Sequence, residues 1–216
     1  MNTPVVVLGA GGHAKVVLEI LEETGHWDIV GCTSARGPSG ALLNYPVLGS
    51  DEVLSALYRG GVRHAFVAIG DNRLRQHAIR RARELGFELI NAVSRRAALS
   101  SRVKMGSGIA IMASAAVNVD SILGDGVIVN TGASVDHDCL IGAYAHIGPG
   151  VRLAGGVEVG EGAFLGVGSC VIPGIRIGSW TIVGAGAAVV KHVAAGATVV
   201  GVPARVLRTN ERTEES

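Results

Sequence analysis

An aliphatic residue returns at every sixth position between Leu99 and Val200, without an insertion, and this repeat constrains the fold more than any other feature. A period of six fits neither an amphipathic helix nor a strand that alternates between two faces. It fits short strands joined by regular corners, with one aliphatic side chain of each strand pointing inward. The repeat therefore predicts a parallel β-helix of seventeen hexads. Their aliphatic members are Leu99, Met105, Ile111, Val117, Leu123, Val129, Val135, Ile141, Ile147, Leu153, Val159, Leu165, Val171, Ile177, Val183, Val189 and Ala195.

Glycine often follows the aliphatic residue of the hexad, and most of the chain's 32 glycines belong to the repeat. We expect this position to need backbone angles that a β-carbon obstructs. The glycines therefore indicate regular corners rather than disorder. They are Gly106, Gly124, Gly142, Gly148, Gly160, Gly166, Gly178, Gly184 and Gly196.

The region before the repeat has a different pattern, in which apolar strand-like runs alternate with helical spacing. This alternation is typical of a small, Rossmann-like parallel α/β domain. The predicted strands cover residues 4–8, 29–32, 64–70 and 87–92. We therefore expect an α/β domain over 1–93, a β-helix over 94–208, and a charged, mobile tail over 209–216.

Composition also excludes several classes of partner. The formal charge of the 216-residue chain is +1, which gives no general reason to expect nucleic acid or an anionic membrane surface. No apolar run approaches the ~18 residues of a membrane span. The N-terminus lacks a basic segment followed by a cleavable apolar stretch, so we expect a cytoplasmic protein.

A glycine-rich turn, Gly9-Ala10-Gly11-Gly12-His13-Ala14, lies between the first predicted strand and a helix. Backbone N–H groups and the helix dipole can hold a phosphate at such a turn. An NAD site is not expected, because the second strand runs into Thr33-Ser34 with no acid for a ribose hydroxyl. The turn predicts either a phosphate-binding site or a purely structural tight turn, and the family resemblance described below favours the diphosphate of a nucleotide sugar.

The third predicted helix begins at Asp71-Asn72 and carries five arginines. Arg73 lies beside the end of a strand and is a candidate phosphate contact. The other arginines are expected on a solvated face, opposite the apolar residues of the helix. They are Arg75, Arg80, Arg81 and Arg83.

Titratable side chains gather at one place in the repeat, which otherwise has little need of them. Asn130, Asp136-His137-Asp138 and His146 fall within one coil's length. A histidine titrates near neutral pH, and flanking acids can fix its tautomer and stabilise its cation. The cluster therefore indicates a general base at His137. The histidines at 26, 64, 77 and 192 are expected to be ordinary surface or structural residues.

The three cysteines, Cys32, Cys139 and Cys170, form no CxxC pair. Each is expected to be a core thiol. Neither of the two in the repeat has a neighbouring histidine arrangement that would activate a nucleophile.

Four segments resemble the bacterial sugar acyltransferases that acetylate nucleotide-linked amino sugars, with their sialic acid O-acetyltransferase relatives. The segments read VVVLGAGGHAKVV at residues 5–17, AIGDN at 68–72, NTGASVDHDC at 130–139 and GVPAR at 201–205. The resemblance implies a left-handed β-helix with three faces and eighteen residues per coil. It further implies that the N-terminal domain holds the nucleotide sugar, that the β-helices form a homotrimer, and that acetyl-CoA lies between two adjacent helices.

The same resemblance implies roles for individual residues. His137 is the base and Asp138 its orienting carboxylate, with Asp136 as a possible substitute. Asn130 positions the acceptor, while His146 and the backbone N–H of Gly155 contact the acetyl group. The CoA arm is lined by Gly166, Ala185, Val202 and Pro203. The nucleotide-sugar site uses Gly11, Gly12, His13, Asp71, Asn72 and Arg73.

Two segments depart from the family pattern. Cys32-Thr33-Ser34 stands where members that bind UDP have acids, in a segment of the Leu-Asp-Asp kind. Ser94-Arg95-Arg96-Ala97 stands where the family commonly has His-Pro-Ser-Ala. The first departure leaves UDP, GDP and dTDP open as the nucleotide.

The main prediction is therefore acetyl-CoA-dependent N-acetylation of a nucleotide-linked amino sugar, by direct transfer and without a metal. One alternative is O-acetylation of a free sugar such as sialic acid. Another is a metal enzyme like the γ-class carbonic anhydrases, but His137 and His146 lack a well-spaced third ligand. The last is a scaffold without activity, which has no need of an acid-flanked histidine.

Overall fold

A computed structural model describes residues 2–38 and 40–209. The predicted mobile tail lies outside these residues, apart from Thr209. The described residues form two compact units, the first comprising residues 2–38, 40–95 and 107–110 and the second 96–106 and 111–209. The first unit thus includes a short segment of the predicted repeat, Ser107–Ala110.

The first unit is a parallel α/β domain, as predicted. Its six-stranded sheet has the order β3-β4-β2-β1-β5-β6, and within the described part of this sheet the pairing of β3 with β4 is antiparallel and the other pairings are parallel. The strands are β1 Thr3–Leu8, β2 Trp27–Thr33, β3 Ala41–Leu42, β4 Tyr45–Gly49, β5 His64–Val67, β6 Glu88–Leu89 and a short β7, Ala92–Val93. The helices are α1 Gly12–Thr24, α2 Leu54–Arg59 and α3 Asn72–Glu84, with a 3-10 turn at Asp51–Val53.

The core of this unit is the centre of its sheet. Residues 5–8 of β1 have no exposed surface, because a parallel strand with neighbours on both sides and helices above and below is apolar on both faces. The strand predicted over 87–92 is instead two short strands, β6 and β7. The β3–β4 hairpin was not predicted, since glycines and prolines interrupt its apolar pattern.

The prediction that Arg75 lies on a solvated face is wrong. Arg75 is fully buried, and its guanidinium donates hydrogen bonds to the carbonyls of Ile69 and Gly70 and to Asn72 Oδ1. Arg75 belongs to the buried stripe of α3, three residues after Asn72 and three before Ala78. The remaining arginines of α3 are exposed, as expected.

The second unit is a left-handed β-helix built from two-residue strands. Successive coils pair in parallel at a spacing of eighteen residues, as between Val117 and Val135. Its strands are β8 Ala98–Leu99, β9 Lys104–Met105, β10 Ala110–Ile111, β11 Ala116–Val117, β12 Ile122–Leu123, β13 Ile128–Val129, β14 Ser134–Val135, β15 Leu140–Ile141, β16 His146–Ile147, β17 Arg152–Leu153, β18 Glu158–Val159, β19 Phe164–Leu165, β20 Cys170–Val171, β21 Arg176–Ile177, β22 Ile182–Val183, β23 Ala188–Val189, β24 Ala197–Val200 and β25 Arg205–Thr209.

Three sheets form the three faces of this helix. The first face contains β10, β13, β16, β19, β22 and β24, and β25 pairs antiparallel with β24 at its end. The second face contains β8, β11, β14, β17, β20 and β23, and the third β9, β12, β15, β18 and β21. The chain passes from the first to the second to the third face within each coil.

The inward position of the hexad agrees with prediction through the middle of the solenoid. Every hexad aliphatic from Ile111 to Val189 is at most 3% exposed. The exceptions lie towards the two ends, where Met105 is 39% exposed and Ala195 is also exposed. An aliphatic side chain of a solenoid is fully covered only where coils lie on both sides.

The expected reason for the glycines after the aliphatic is wrong for most of them. A β-carbon on Gly124 would lie 2.6 Å from the backbone nitrogen of Ala143 in the next coil, and one on Gly142 would lie 2.6 Å from that of Glu161. Close approach of coils therefore requires glycine there. Left-handed backbone angles occur instead three residues after the aliphatic, as at Gly132, although Gly196 is also left-handed.

Among the described residues, the helices are too short and too polar for any of them to span a lipid bilayer.

Candidate active site

His137 lies at the corner between the second and third faces, in the turn from β14 to β15. Its Nδ1 is 2.8 Å from Asp138 Oδ2, and its backbone N–H donates to Asp136 Oδ1 at 2.8 Å. A carboxylate only accepts hydrogen bonds, so Nδ1 carries the proton and Nε2 of the neutral ring has the lone pair. Asp138 has a left-handed backbone (φ 59°), a conformation that aspartate tolerates better than most residues.

The electrostatics of this corner favour a protonated His137. The hydrogen bond that His137 donates to Asp138 and then the charge of Asp136 raise the pKa of His137 above its usual value. The Asn118 side chain, at 2.9 Å, and then the His137 backbone N–H lower the pKa of Asp136. Asn118 was not predicted as a site residue. It lies one coil before Asp136, and that spacing of eighteen residues is the signal that could have identified it.

Gly155 lies directly beneath the His137 ring. A β-carbon on Gly155 would be 2.5 Å from the Cε1 and 2.6 Å from the Nε2 of His137. The nearest atoms are side-chain atoms, whereas at Gly142 they are backbone atoms of the next coil. Any side chain at position 155 would therefore displace the imidazole, which makes glycine part of the geometry around Nε2.

Asn130 and His146 form a second cluster at the edge of the first face, where β13 passes into β14. The amide nitrogen of Asn130 is 3.0 Å from His146 Nε2, and the amide oxygen accepts the Thr131 backbone N–H at 2.8 Å. His146 is 8% exposed, and its ring meets the edge of Phe164 with centroids 5.2 Å apart. Both contacts hold the imidazole in one orientation.

A single subunit keeps the two clusters apart. Asn130 lies at the first corner of the second face and His137 at its last corner, seven residues later. At about 3.3 Å per extended residue, the two corners are roughly 15–20 Å apart. The catalytic residues implied by the resemblance therefore divide into a His137 cluster (Asp136, His137, Asp138 and Gly155) and a His146 cluster (Asn130 and His146).

The glycine-rich turn of the first unit lines a cavity of about 650 Å³ at the carboxyl end of the sheet. A β-carbon on Gly9 would clash with the Ala68 carbonyl oxygen at 2.7 Å, so packing explains that glycine. A β-carbon on Gly11 or Gly12 would meet nothing within 4 Å. These two glycines leave their backbone open to the cavity, as a bound ligand requires.

The predicted nucleotide-sugar residues do not all reach this cavity. Within the described part of the chain its lining includes Gly11, Gly12 and His13. Asp71 instead accepts the Leu74 N–H at 2.9 Å and caps α3. Asn72 is buried against Arg75, and Arg73 is exposed on the same helix.

His13 is a neutral residue in this structure. Burial and then the charge of Arg75 lower its pKa to about 4. Its Nε2 is buried without a hydrogen-bond partner among the described residues. A neutral imidazole at this turn adds no positive charge to the cavity. The positive potential there comes from the backbone N–H groups at the start of α1 and from Arg36, the arginine that lines the cavity.

The residues predicted for the CoA arm lie in the last coils of the solenoid. Gly166 is buried, and its β-carbon would meet the backbone of the next coil, 2.7 Å from the Ala185 nitrogen. Ala185, Val202 and Pro203 are exposed, and the peptide bond between the last two is cis.

The cysteines differ from one another. Cys32 and Cys139 are buried, and burial raises the pKa of each thiol, that of Cys32 to about 11. The expectation of a core thiol is wrong for Cys170, which is exposed at the first position of its two-residue strand while Val171, at the second, is buried. Among residues 2–38 and 40–209, no three His, Cys, Asp or Glu side chains gather in a way that could hold a metal ion.

Two family models match the chain. Residues 4–82 match the PglD N-terminal domain, and residues 120–155 match the bacterial transferase hexapeptide of six repeats. A comparison with curated proteins gave no significant match.

Solved structures of similar proteins cover nearly the whole chain. PerB from Caulobacter crescentus, solved with CoA and GDP-perosamine, is 50% identical, with a TM-score of 0.92 over 95% of this chain and 97% of PerB. The acetyltransferase domain of PglB from Neisseria gonorrhoeae, solved with acetyl coenzyme A, is 39% identical, with a TM-score of 0.91 over 96% of this chain and all of that domain. WeeI from Acinetobacter baumannii is 25% identical, with a TM-score of 0.85 over 95% of this chain and all of WeeI.

The β-helix and its histidine corner define the class, a hexapeptide-repeat acyltransferase. Within that class, the chain belongs to the bacterial sugar acyltransferases that include PerB and PglB. The C. crescentus perosamine N-acetyltransferase has also been solved with one histidine replaced by asparagine or by alanine, in complex with CoA and GDP-perosamine.

Proposed function

We propose that this protein transfers the acetyl group of acetyl-CoA to the amino group of a nucleotide-linked amino sugar. The observation that carries the proposal is His137, held by Asp138 over Gly155, in a chain 50% identical to a perosamine N-acetyltransferase along its length. GDP-perosamine is the ligand of that relative, so a GDP-linked amino sugar is the first acceptor to test.

The proposed reaction is a direct transfer without an acyl-enzyme. The amine nitrogen attacks the thioester carbonyl carbon, and His137 Nε2 removes a proton from that nitrogen. The C–S bond then breaks, CoA leaves as a thiolate that takes up a proton, and the amide remains. Asp138 keeps Nδ1 protonated and stabilises the imidazolium that forms.

The developing negative charge on the carbonyl oxygen needs a hydrogen-bond donor. The Gly155 N–H is suited to this task because it has no hydrogen-bond acceptor among the described residues and lies beside the His137 ring. His146 is the second proposed contact of the acetyl group. Gly166, Ala185, Val202 and Pro203 are proposed to line the CoA arm.

The cavity of the first unit is the proposed nucleotide-sugar site. Gly11 and Gly12 offer open backbone at the N-terminus of α1, which suits a diphosphate. His13 lines the same cavity. Asp71, Asn72 and Arg73 follow β5 at the same end of the sheet, and Arg73 is the one of them whose exposed side chain could contact a phosphate.

The assembly is proposed to be a homotrimer, with acetyl-CoA between adjacent β-helices. Both substrates are intermediates of cytoplasmic metabolism, so we place the reaction in the cytoplasm, in the biosynthesis of a bacterial surface glycan.

A thiol-release assay tests the proposal. Acetyl-CoA is incubated with UDP-, GDP- and dTDP-linked amino sugars and with free sialic acid, and the product is identified by mass spectrometry. We expect N-acetylation of a nucleotide-linked sugar, with the GDP-linked acceptor preferred. Acetylation of free sialic acid alone would instead establish a sugar O-acetyltransferase.

Two histidine variants complete the test. His137→Ala should lower turnover by about 100-fold or more, because it removes the general base. His77→Ala, on the exposed face of α3, should behave like the wild type. Normal turnover in the His137→Ala protein would contradict the assignment of the base.

A further inference from the structure

The side-chain amide of Asn130 has only one orientation that satisfies both of its neighbours. The Thr131 backbone N–H can only donate, and it lies 2.8 Å from the amide oxygen. The NH₂ group must therefore face His146, where its nitrogen is 3.0 Å from Nε2. Turning the amide over would replace this 2.8 Å hydrogen bond with a contact between two N–H donors at Thr131.

This orientation determines the tautomer of His146. Because the Asn130 NH₂ group donates, Nε2 of His146 must accept and cannot carry a proton. The proton of the neutral ring is then on Nδ1. The edge contact with Phe164, at an interplanar angle of 80°, and the burial of the ring prevent a flip that would exchange the two nitrogens.

We propose that Asn130 is a positioning residue that holds His146 in the Nδ1–H tautomer. This inference rests on the proposed acetyl transfer, because it explains why His146 needs a defined proton. The carbonyl oxygen and the sulfur of a thioester are hydrogen-bond acceptors, so a ring nitrogen that helps them must be a donor. The tautomer set by Asn130 supplies that donor at Nδ1.

The resemblance implies a different role for Asn130, namely contact with the acceptor sugar. The two roles make different kinetic predictions. A residue that orients His146 affects the use of acetyl-CoA, whereas a residue that binds the acceptor affects the KM for the nucleotide sugar. They also differ in the free protein, where only the orienting role changes the protonation of a ring nitrogen.

Nitrogen NMR of histidine-labelled protein tests the tautomer without reference to activity. The His146 signals are assigned by their loss in His146→Gln. In the wild type, we expect the larger ¹⁵N chemical shift of an unprotonated nitrogen at Nε2 and the smaller shift of a protonated one at Nδ1. In Asn130→Asp, a carboxylate replaces the donor, so the proton should move to Nε2 and the two shifts should exchange.

Asn118→Asp is the matched control. Asn118 has the same hexad position as Asn130, two hexads earlier in the chain, but it contacts Asp136 instead of His146. It should leave the His146 nitrogen shifts unchanged. The proposal would be overturned if the wild-type spectrum placed the His146 proton on Nε2. It would also be overturned if the His146 nitrogen shifts were the same in Asn130→Asp as in the wild type. Both outcomes count whether or not the protein is an acetyltransferase.

Kinetics complete the test. Asn130→Asp and Asn130→Ala should lower kcat/KM for acetyl-CoA by about ten- to a hundredfold, the effect of a lost or misdirected donor. The KM for the nucleotide sugar should stay within about twofold of the wild type. A rise confined to the nucleotide-sugar KM, with unchanged His146 shifts, would assign Asn130 to the acceptor and refute the positioning role.

Discussion

Asp138 acts on the base chemically and also occupies a backbone position that few residues adopt. Its hydrogen bond is the largest cause of the raised pKa of His137. Its φ of 59° is tolerated by asparagine as well as aspartate. Asparagine at this position therefore removes the charge and keeps the corner, which separates electrostatics from fold.

Asp138→Asn should shift the pH dependence of the reaction towards lower pH. Neutral His137 is the active form, so activity rises as pH increases through its raised pKa. Loss of the carboxylate lowers the pKa of His137, so the rising limb of kcat/KM moves to lower pH. The plateau of kcat/KM also falls, because the His137 ring is less well oriented without the carboxylate at Nδ1. The pH profile of kcat/KM for the acceptor measures both effects.

Asp136→Asn is the comparison variant. The charge of Asp136 is a smaller cause of the His137 pKa shift than the hydrogen bond that His137 donates to Asp138. The rising limb of the Asp136→Asn pH profile should therefore move in the same direction but less. A limb that moves to higher pH in either variant would contradict the role of these carboxylates.

Gly155→Ala should lower turnover without unfolding the protein. The new methyl group would displace the His137 ring, which is exposed and can rotate away when its hydrogen bond to Asp138 breaks. We expect kcat to fall by about tenfold or more, because Nε2 leaves its productive position. Steady-state kinetics and thermal unfolding measure the two outcomes.

Gly142→Ala provides the contrast, since its methyl group would meet the backbone of the next coil and should lower the melting temperature. In a His137→Ala background, Gly155→Ala should have no further effect on turnover. A further loss there would show that Gly155 acts through something other than the His137 ring.

The titratable residues of the His137 cluster could be predicted from the sequence. They are charged or polar where the repeat is mostly small and apolar, yet the hexad aliphatics on either side keep their spacing of six. The resemblance added Gly155 through its backbone N–H. The steric role of Gly155 and the contact of Asn118 with Asp136 depend on which side chains meet between neighbouring coils, and a single coil of sequence does not show this.

At the scale of elements, α3 shows how a buried charge can hold a loop in place. The Arg75 guanidinium spans the carbonyls of Ile69 and Gly70, and Gly70 lines the cavity at the end of the sheet. The position of Arg75, three residues before Ala78, is in phase with the apolar stripe of α3 and can be read from the sequence. The apolar residues of α3 could form the buried stripe without Arg75, so the sequence favours a solvated position for this arginine.

Arg75→Met should destabilise the first unit and weaken binding of the nucleotide sugar. The substitution leaves two buried carbonyls and an amide oxygen without their donor, so the free energy of unfolding should fall by about 2–4 kcal/mol. The nucleotide-sugar KM should rise because the Gly70 backbone loosens. Trp27 lies in the first unit, and its fluorescence in a Trp180→Phe background follows the unfolding of that unit.

Arg80→Met is the matched control, because Arg80 is on the same helix and exposed. Its free energy of unfolding should stay within about 0.5 kcal/mol of the wild type. Equal stability of the Arg75→Met and Arg80→Met proteins would show that the buried hydrogen bonds contribute little.

At the scale of the whole molecule, the repeat predicts the coils and their faces but says little about which polar side chains meet. Residues in one register column, such as Asn118 and Asp136, are neighbours although eighteen positions separate them. Residues seven positions apart, such as Asn130 and His137, lie at different corners. Closeness in sequence therefore suggested one site where a single subunit has two clusters.

If the protein is the proposed homotrimer, the two clusters form one site only when they come from adjacent subunits. This follows from the separation of roughly 15–20 Å across the second face of one subunit. A cyclic trimer presents the last corner of one subunit to a neighbour in a fixed direction, so each of three interfaces would combine one His137 cluster with one His146 cluster.

Mixed trimers of His137→Ala and His146→Ala subunits should therefore recover activity that neither variant has alone. In a heterotrimer of either composition, one interface out of three pairs an intact His137 with an intact His146, so about one third of wild-type turnover should return. Co-expression with two affinity tags and tandem purification isolates these heterotrimers, and light scattering checks for three times the 22.0 kDa subunit mass. Heterotrimers no more active than their homotrimeric parents would place both histidines' functions within one subunit and contradict the shared site.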